Sequence, residues 1–243
     1  RRLAVTRSHV QLSGPMRSQE GFNVRKSPRK SSGSRAASVT QDSPNSKEAI
    51  LAAALKVFAS DGYDGASMPK IAKVAQVAAP LIHYYFGSKE NLWRETVAYS
   101  LADLRRDALA IGNATRTLAP LDRLRAFLHT VTRHAARWPD NFVMIIAEAR
   151  SESDRFAWVQ EHYTLVIFEE LRSILQDAKD RKIIKDIAID QLASLLVGGV
   201  LVYFTANPEV SGNTDPKDLD RISSEYTDLV FELLLDGICR KKR

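Results

Sequence analysis

The spacing of apolar residues limits this chain to helical folds. From Ser46 onwards apolar side chains recur every three or four residues, and no segment alternates convincingly between apolar and polar residues as a half-buried strand would. In the first such segment the apolar residues are Ile50, Leu51, Ala54, Leu55 and Phe58. Glycines, prolines and short polar runs divide the pattern into about nine helices. The sequence therefore predicts an all-α protein.

Residues that begin or end helices mark the boundaries of the predicted elements. The first helix stops at Asp61-Gly62, and Ser67, Pro80 and Ser88 are placed to begin the next three. Beyond Gly112 we expect five further helices, near residues 120–137, 140–150, 153–180, 188–206 and 217–238. No repeat of fixed period relates these helices, so we predict two helical lobes rather than a repeat array.

Residues 1–45 differ in composition from the rest of the chain. They hold nine Lys and Arg residues against two acidic residues, a net charge of +7, whereas the other 198 residues carry −1. The segment is rich in Ser, Arg, Gly and Pro, and it has too little apolar surface to offset the entropy of ordering. We expect a disordered basic tail. The alternative is that part of this segment precedes the native start of the protein or was added to it, because Met16 offers a native start.

The sequence offers no pattern for catalysis, metal binding or membrane insertion. Its single cysteine, Cys239, cannot form an internal disulfide and has no Cys or His at metal-ligand spacing. His129 and His134 do not share a helix face, and no triad or paired acid is present. The apolar stretch Leu192–Ala206 is shorter than a bilayer span. We therefore expect no enzyme activity, no metal, no cofactor and a buried helix at 192–206.

Residues 67–92 carry the most specific pattern, and they read SMPKIAKVAQVAAPLIHYYFGSKENL. Two short helices around a tight turn, the second small and uncharged on one side, describe a helix-turn-helix, whose second helix enters the major groove of DNA. That spacing alone is also met by an ordinary pair of antiparallel helices. The more specific elements are an Ile-Ala pair at 71–72, an Ala-x-Val turn at 75–77, an aromatic run ending at Phe86, and Ser-Lys-Glu-x-Leu at 88–92.

With these elements the segment resembles the DNA-binding motif of TetR-type (tetracycline-repressor) regulators, and the later helices extend the resemblance over about residues 46–240. It implies a helix-turn-helix domain with a connecting helix at 46–110, followed by an effector-binding and dimerisation domain at 111–243. It further implies a cytoplasmic bacterial transcription regulator, more a repressor than an activator. The implied partners are a palindromic double-stranded DNA operator, a second copy of the chain and an unknown small-molecule effector.

Three residues depart from the family pattern. Gln76 stands where such motifs have a turn glycine, Ala78 replaces the small polar residue that opens the recognition helix, and His83 replaces the first tyrosine of the aromatic run. Gln76 must therefore adopt the turn backbone without the freedom of glycine.

The motif supplies a set of candidate DNA contacts. The resemblance assigns phosphate contacts to His83, Tyr84 and Lys89, and Ser67 and Lys70 are placed to reach the other flank. Methyl contacts suited to thymine are offered by Ala78, Ala79, Pro80 and Leu81. The remaining apolar residues of the motif we expect in the core of the three-helix unit: Ile71, Ala72, Val74, Val77, Ile82, Tyr85 and Phe86.

The second domain contains candidates for an effector pocket and for a dimer interface. An amphipathic pocket is predicted from His134, Trp138, Phe142, Glu148, Trp158 and His162, although each of these residues also fits an ordinary core. The last two helices have apolar stripes that suit a four-helix bundle with a second copy. The predicted interface residues are Leu195, Gly198, Gly199, Val202, Tyr226, Leu229 and Leu233. Burial of these stripes within one chain is the alternative.

Two other function classes compete with the regulator. One is a helical ligand-binding or enzymatic domain with an incidental helical hairpin, and it has no catalytic constellation to support it. The other is a nonspecific DNA-binding protein that acts through its basic tail, which leaves the motif at 67–92 unexplained.

Overall fold

The computed structural model describes residues 44–151, 153–207, 210 and 215–239. Its helices are α1 (Pro44–Gly65), α2 (Met68–Ala75), α3 (Ala79–Phe86), α4 (Lys89–Ala114), α5 (Pro120–Arg137), α6 (Pro139–Ala149), α7 (Asp154–Val159), α8 (Leu165–Asp180), α9 (Ile189–Ala206) and α10 (Pro216–Ile238). A π-helical turn, Gln160–Thr164, joins α7 to α8. With that interrupted helix taken as one, the described residues form nine helices, which confirms the predicted all-α class. Except for Pro44 and Asn45, the predicted basic tail lies outside the described residues.

The break in α1 lies where the sequence places it. Gly62 has φ 71° and ψ 175°, a conformation that a side chain at this position would strain. The helix is therefore broken at Gly62, and its last three residues, Tyr63–Gly65, follow the kink. Ser67 begins α2 by accepting a hydrogen bond from the Lys70 backbone N–H at 3.3 Å.

The turn between α2 and α3 is made without glycine. Gln76 adopts the left-handed conformation, with φ 57° and ψ 38°, and its N–H donates to the backbone carbonyls of Ala72 and Lys73. Those two hydrogen bonds close the end of α2, and they offset the roughly 1–2 kcal/mol that this conformation costs a residue with a side chain. The predicted departure from the family pattern thus keeps the turn geometry.

The three-helix unit, α1–α3, forms the first part of the described structure, and α5–α10 form the second part. The two parts share one continuous core. α1 packs on α2, α4 and α6, and α5 lies at the centre against α4, α8, α9 and α10. The largest fully buried side chains run through both parts: Trp93, Phe58, Phe127, Phe204 and Ile50. α4 passes from one part to the other, and it places Trp93 and Leu92 in this core. α4 therefore connects the motif to the later helices through packed contacts.

Helix α9, Ile189–Ala206, agrees with the helix predicted at 188–206. Over its full 18 residues it meets the length and hydropathy of a membrane-spanning helix, although its apolar run from Leu192 is shorter. One face of α9 is buried against α5, α6 and α8, through Leu192, Leu196, Val200 and Phe204. The core helices of soluble proteins often have the same length and hydropathy as a membrane-spanning helix.

Candidate nucleic-acid interface

Helix α3 presents a surface made of small residues and one aromatic residue. Ala78, Pro80, His83 and Tyr84 are exposed, and the Tyr84 side chain reaches 72% exposure with its ring 5.3 Å from that of Tyr85. On the opposite face Ile82 and Phe86 are buried. The outer face therefore combines methyl groups with a phenol and an imidazole that the core does not use.

The other predicted contact residues surround this surface with different accessibility. Ser67 and Lys70 are exposed, whereas Ala79, Leu81 and Lys89 are half-buried. The ammonium group of Lys70 forms an ion pair with Asp61. The ammonium group of Lys89 donates to the Asp64 carbonyl at 3.3 Å and lies 4.5 Å from the ring centre of Tyr63. Two of the predicted phosphate ligands thus have partners within the protein.

The expected core of the three-helix unit is present with one exception. Ile71, Ala72, Ile82 and Phe86 are buried, and Val77 and Tyr85 are half-buried. Val74 is 45% exposed, so its predicted burial was wrong. The helical period places Val74 with Ile71, but α2 has only eight residues and its last turn extends past the end of the core.

The first turn of α4 fixes the end of α3. Ser88 caps α4 by accepting a hydrogen bond from the Asn91 N–H at 3.1 Å, and the Asn91 side-chain amide donates to the Phe86 carbonyl at 3.0 Å. Since Phe86 is the last residue of α3, this bond ties the orientation of α3 to α4. Sequence reasoning missed Asn91, although an amide two residues inside a helix start is a signal that could have found it.

A cavity of about 550 Å³ opens between α4, α5 and the start of α10. Its lining includes His134 and Trp138 of the predicted effector residues, together with Arg137 and Asp220. His134 is 8% exposed, and its Nε2 has no hydrogen-bond partner in the described part of the chain. Burial lowers the pKa of His134 to about 4, helped by the nearby Arg137 and opposed by Asp103, so the ring is neutral near pH 7.

The structure does not bring the six predicted effector residues together. Phe142 stays near the cavity, with its ring 5.8 Å from His134. Glu148 is buried beside Arg155, and Trp158 stacks on His162 at 4.8 Å in a separate cluster that touches Trp93. The predicted residues are divided between two places because α6 ends at Ala149 and the side chains of α7 pack against Tyr63 and Trp93 instead of the cavity. Spacing along the chain does not reveal this packing.

The predicted interface residues form an exposed apolar face on α9 and α10. Leu195 and Leu233 are each 67% exposed, and Val202 and Leu229 are also exposed. Gly199 is exposed, Gly198 is half-buried, and no atom would obstruct a Cβ at Gly198 within 4 Å. Tyr226 differs from the others because its ring stacks on Tyr203 of the same chain at 4.4 Å.

Comparison with known proteins gives consistent matches. The model of the family "Bacterial regulatory proteins, tetR family" matches residues 50–96. The chain is 34% identical to the HTH-type transcriptional regulator BetI of Agrobacterium fabrum, over 80% of this chain and 92% of that protein. It is 24% identical to the HTH-type transcriptional repressor NicS of Pseudomonas putida, over 82% of this chain and 95% of that protein. The crystal structure of HlyIIR, a hemolysin II transcriptional regulator, superposes on this chain with a TM-score of 0.61 at 27% identity. The match covers 81% of this chain and 98% of HlyIIR.

Proposed function

The chain belongs to the TetR family and is a DNA-binding transcription repressor rather than an enzyme; from that premise we propose that it binds a palindromic operator as a homodimer in the bacterial cytoplasm. A small molecule bound in the second part of the chain releases it from DNA.

The observation that carries the proposal is the outer face of α3. Ala78, Pro80 and Tyr84 are exposed together on a helix whose other face is buried, so the helix can enter a major groove while its core packing stays intact. Methyl groups read thymine, and the Tyr84 hydroxyl is placed to donate to a phosphate. Few groups on this face form directional hydrogen bonds with bases, so phosphate contacts and DNA shape are expected to contribute a large part of the affinity.

The exposed apolar face of α9 and α10 supports the proposal that the protein forms a homodimer. Leu195 and Val202 lie on one side of α9, and Leu229 and Leu233 lie one turn apart on α10. Four large apolar side chains on adjoining helices form the type of patch that a stable soluble protein covers. Two copies related by a two-fold axis bury both patches and point two α3 helices the same way.

The cavity beside His134 supports the effector site. The Nε2 of the neutral His134 ring is buried at the wall of the cavity and has no hydrogen-bond partner among the described residues, so a ligand that reaches this nitrogen gains a hydrogen bond without the cost of moving a charge. Arg137 and Asp220 at its rim provide one charge of each sign, and no ion pair holds either of them within the described residues.

Footprinting on the DNA upstream of the protein's own gene tests the proposal. We expect protection with internal two-fold symmetry and half-site centres about 34 Å apart, or a modest multiple of a helical turn. Light scattering at micromolar concentration is expected to give the mass of a dimer. Protection without symmetry, or a monomer at that concentration, contradicts the proposal.

A further inference from the structure

One arginine of the second part of the chain lies against the three-helix unit. The guanidinium carbon of Arg155, on α7, is 3.6 Å from the ring centre of Tyr63, which follows the break in α1. At that distance the contact is a close cation–π interaction. It joins the last residues of α1 to α7 through the Arg155 side chain.

Two further groups fix Arg155 in place. Its Nε donates to Glu148 Oε2 at 3.0 Å, and the Ser153 hydroxyl donates to the same oxygen at 2.6 Å. Glu148 is only 4% exposed, so its carboxylate has few alternatives to these partners. The guanidinium therefore keeps its place over Tyr63 as long as the end of α6 and the start of α7 stay together.

Tyr63 is also in contact with the first residue of α4, the helix that follows α3. The Lys89 ammonium group lies 4.5 Å from the same ring centre and donates to the Asp64 carbonyl. Lys89 begins α4, and two residues later Asn91 donates to the Phe86 carbonyl at the end of α3. Side-chain contacts therefore connect α6 and α7 to the first residue of α4, and the first turn of α4 carries Asn91, which holds the last residue of α3.

The segment that carries Arg155 has a built-in change of helix register. α7 has six residues and ends in the π-helical turn, in which the His162 ring lies 2.8 Å from the Trp158 carbonyl. Isolated π turns inside α-helices are frequent at functional sites. Because this turn sets the register between α7 and α8, a change in it would displace Arg155 on α7.

We infer that Arg155 is a positioning residue, which transmits the state of the effector-binding part to α3 through Tyr63 and Lys89 without touching DNA. The inference rests on the proposed function, and it adds the contact by which effector binding changes DNA affinity. In the state described here Arg155 holds Tyr63, and Tyr63 holds Lys89, so α3 is presented to DNA. An effector in the cavity beside His134 reaches α6 through Phe142, whose ring is 5.8 Å from that of His134. A shift of α6 away from α7 removes the guanidinium from Tyr63 and loosens the first turn of α4, which holds the end of α3.

Substitution of Arg155 tests the inference on the full chain. Arg155→Leu keeps apolar contact with the ring and removes the charge, and we expect operator affinity to fall about tenfold, within the usual range of coupling between sites. Affinity for random DNA is expected to change less than twofold, because Arg155 is not among the predicted DNA contacts and its guanidinium is held by Glu148 and Tyr63. Arg155→Lys keeps a cation near the ring and restores part of the affinity. Arg150→Leu is the matched control, since Arg150 is exposed and its side chain forms no hydrogen bond or ion pair among the described residues.

A double-mutant cycle separates transmission from a general loss of structure. With Tyr63→Leu already present, Arg155→Leu is expected to change operator affinity less than twofold, because the path is already broken. Hydrogen exchange of the DNA-free protein is expected to speed up at residues 79–86 in Arg155→Leu and to stay unchanged in α9. Additive losses in the cycle, or faster exchange spread evenly over all helices, overturn the inference.

The outcomes also distinguish the inference from the proposed function. If the wild-type protein prefers the operator and Arg155→Leu behaves like Arg150→Leu, only the inference fails. If the wild-type protein has no preference for the operator over random DNA, the proposed function fails and the role of Arg155 in DNA binding fails with it.

Discussion

Tyr84 and Ala78 allow positioning on DNA to be separated from sequence reading. Tyr84→Phe removes one hydroxyl from an exposed ring, and a hydrogen bond to a charged phosphate contributes about 1.5–3 kcal/mol. Because the dimer loses one such bond in each half-site, we expect affinity to fall about a hundredfold or more on every sequence, with the base preference unchanged. Titration of an operator and a set of single-base variants measures both. A loss confined to particular bases contradicts phosphate contact by Tyr84.

Ala78→Asn is the complementary change. Ala78 is exposed at the N-cap of α3 and caps no backbone N–H with its side chain, so asparagine adds a cap as well as an amide that can read adenine. We expect the preferred base to change at one position of each half-site while the free energy of unfolding stays level or rises. An unaltered base preference places α3 outside the groove.

His134 predicts a pH dependence of stability. Burial lowers its pKa in the folded protein to about 4, below the value of about 6.5 in the unfolded chain. Between these two values the unfolded chain binds the proton and the folded protein does not. The free energy of unfolding therefore falls as the pH is lowered from 6.5 towards 4, by up to about 1.4 kcal/mol per pH unit from this residue.

Denaturant unfolding of wild-type protein and His134→Gln across that pH range measures the effect of this histidine. The difference between the two slopes belongs to His134, because the carboxylates titrate in both proteins. Parallel curves contradict a neutral, buried His134.

At the scale of elements, α4 and α8 meet at Gly112. A Cβ at Gly112 would collide with the Glu170 carboxylate, which forms an ion pair with the buried Arg123 at 3.4 Å. Asp177 holds the same guanidinium at 3.4 Å from a later turn of α8. The absence of a side chain at Gly112 thus lets a charged network link α4, α5 and α8.

Gly112→Ala therefore has two opposing effects. Alanine gains about 1 kcal/mol of helix propensity, whereas displacement of Glu170 from a buried arginine costs about 1–3 kcal/mol. We expect a net loss of roughly 1 kcal/mol in the free energy of unfolding. In a Glu170→Ala background the collision is absent, so Gly112→Ala is expected to become stabilising. The same sign in both backgrounds contradicts the assigned contact.

At the scale of the whole molecule, the exposed face of α9 and α10 predicts how assembly depends on single residues. Leu195→Glu and Leu233→Glu place charges on the proposed interface, and we expect light scattering to detect monomers that bind the operator at least tenfold more weakly. Leu118→Glu is the control, because Leu118 is 46% exposed and lies outside that face. Dimers that survive both interface changes contradict the proposed interface.

The basic segment predicts a salt effect separate from specificity. Residues 1–45 carry +7, whereas residues 46–95 hold six basic residues against five acidic ones. Removal of the residues before Asp42 is expected to flatten the slope of log affinity against log salt by about 0.9 for each phosphate that the segment neutralises in the full chain. The ratio of operator to random affinity is expected to change little. Equal slopes for the two lengths of chain assign the phosphate contacts to the folded part alone.

The sequence by itself determined the features that depend on local chemistry. The helical period, the break at Gly62 and the cap at Ser67 arise between residues close together in the chain, and the structure has all three. The motif at 67–92 identified the family for the same reason, because its residues act within α2, α3 and the first turn of α4.

Only the tertiary structure decided how distant residues meet. The sequence grouped Glu148 with His134, but the direction of α7 places Glu148 beside Arg155 and Tyr63. The cation–π contact of Arg155, the place of Lys89 over the same ring and the collision site at Gly112 all join helices far apart in the chain. Periodicity states which face of a helix is apolar, but which other helix covers that face depends on how the elements pack together.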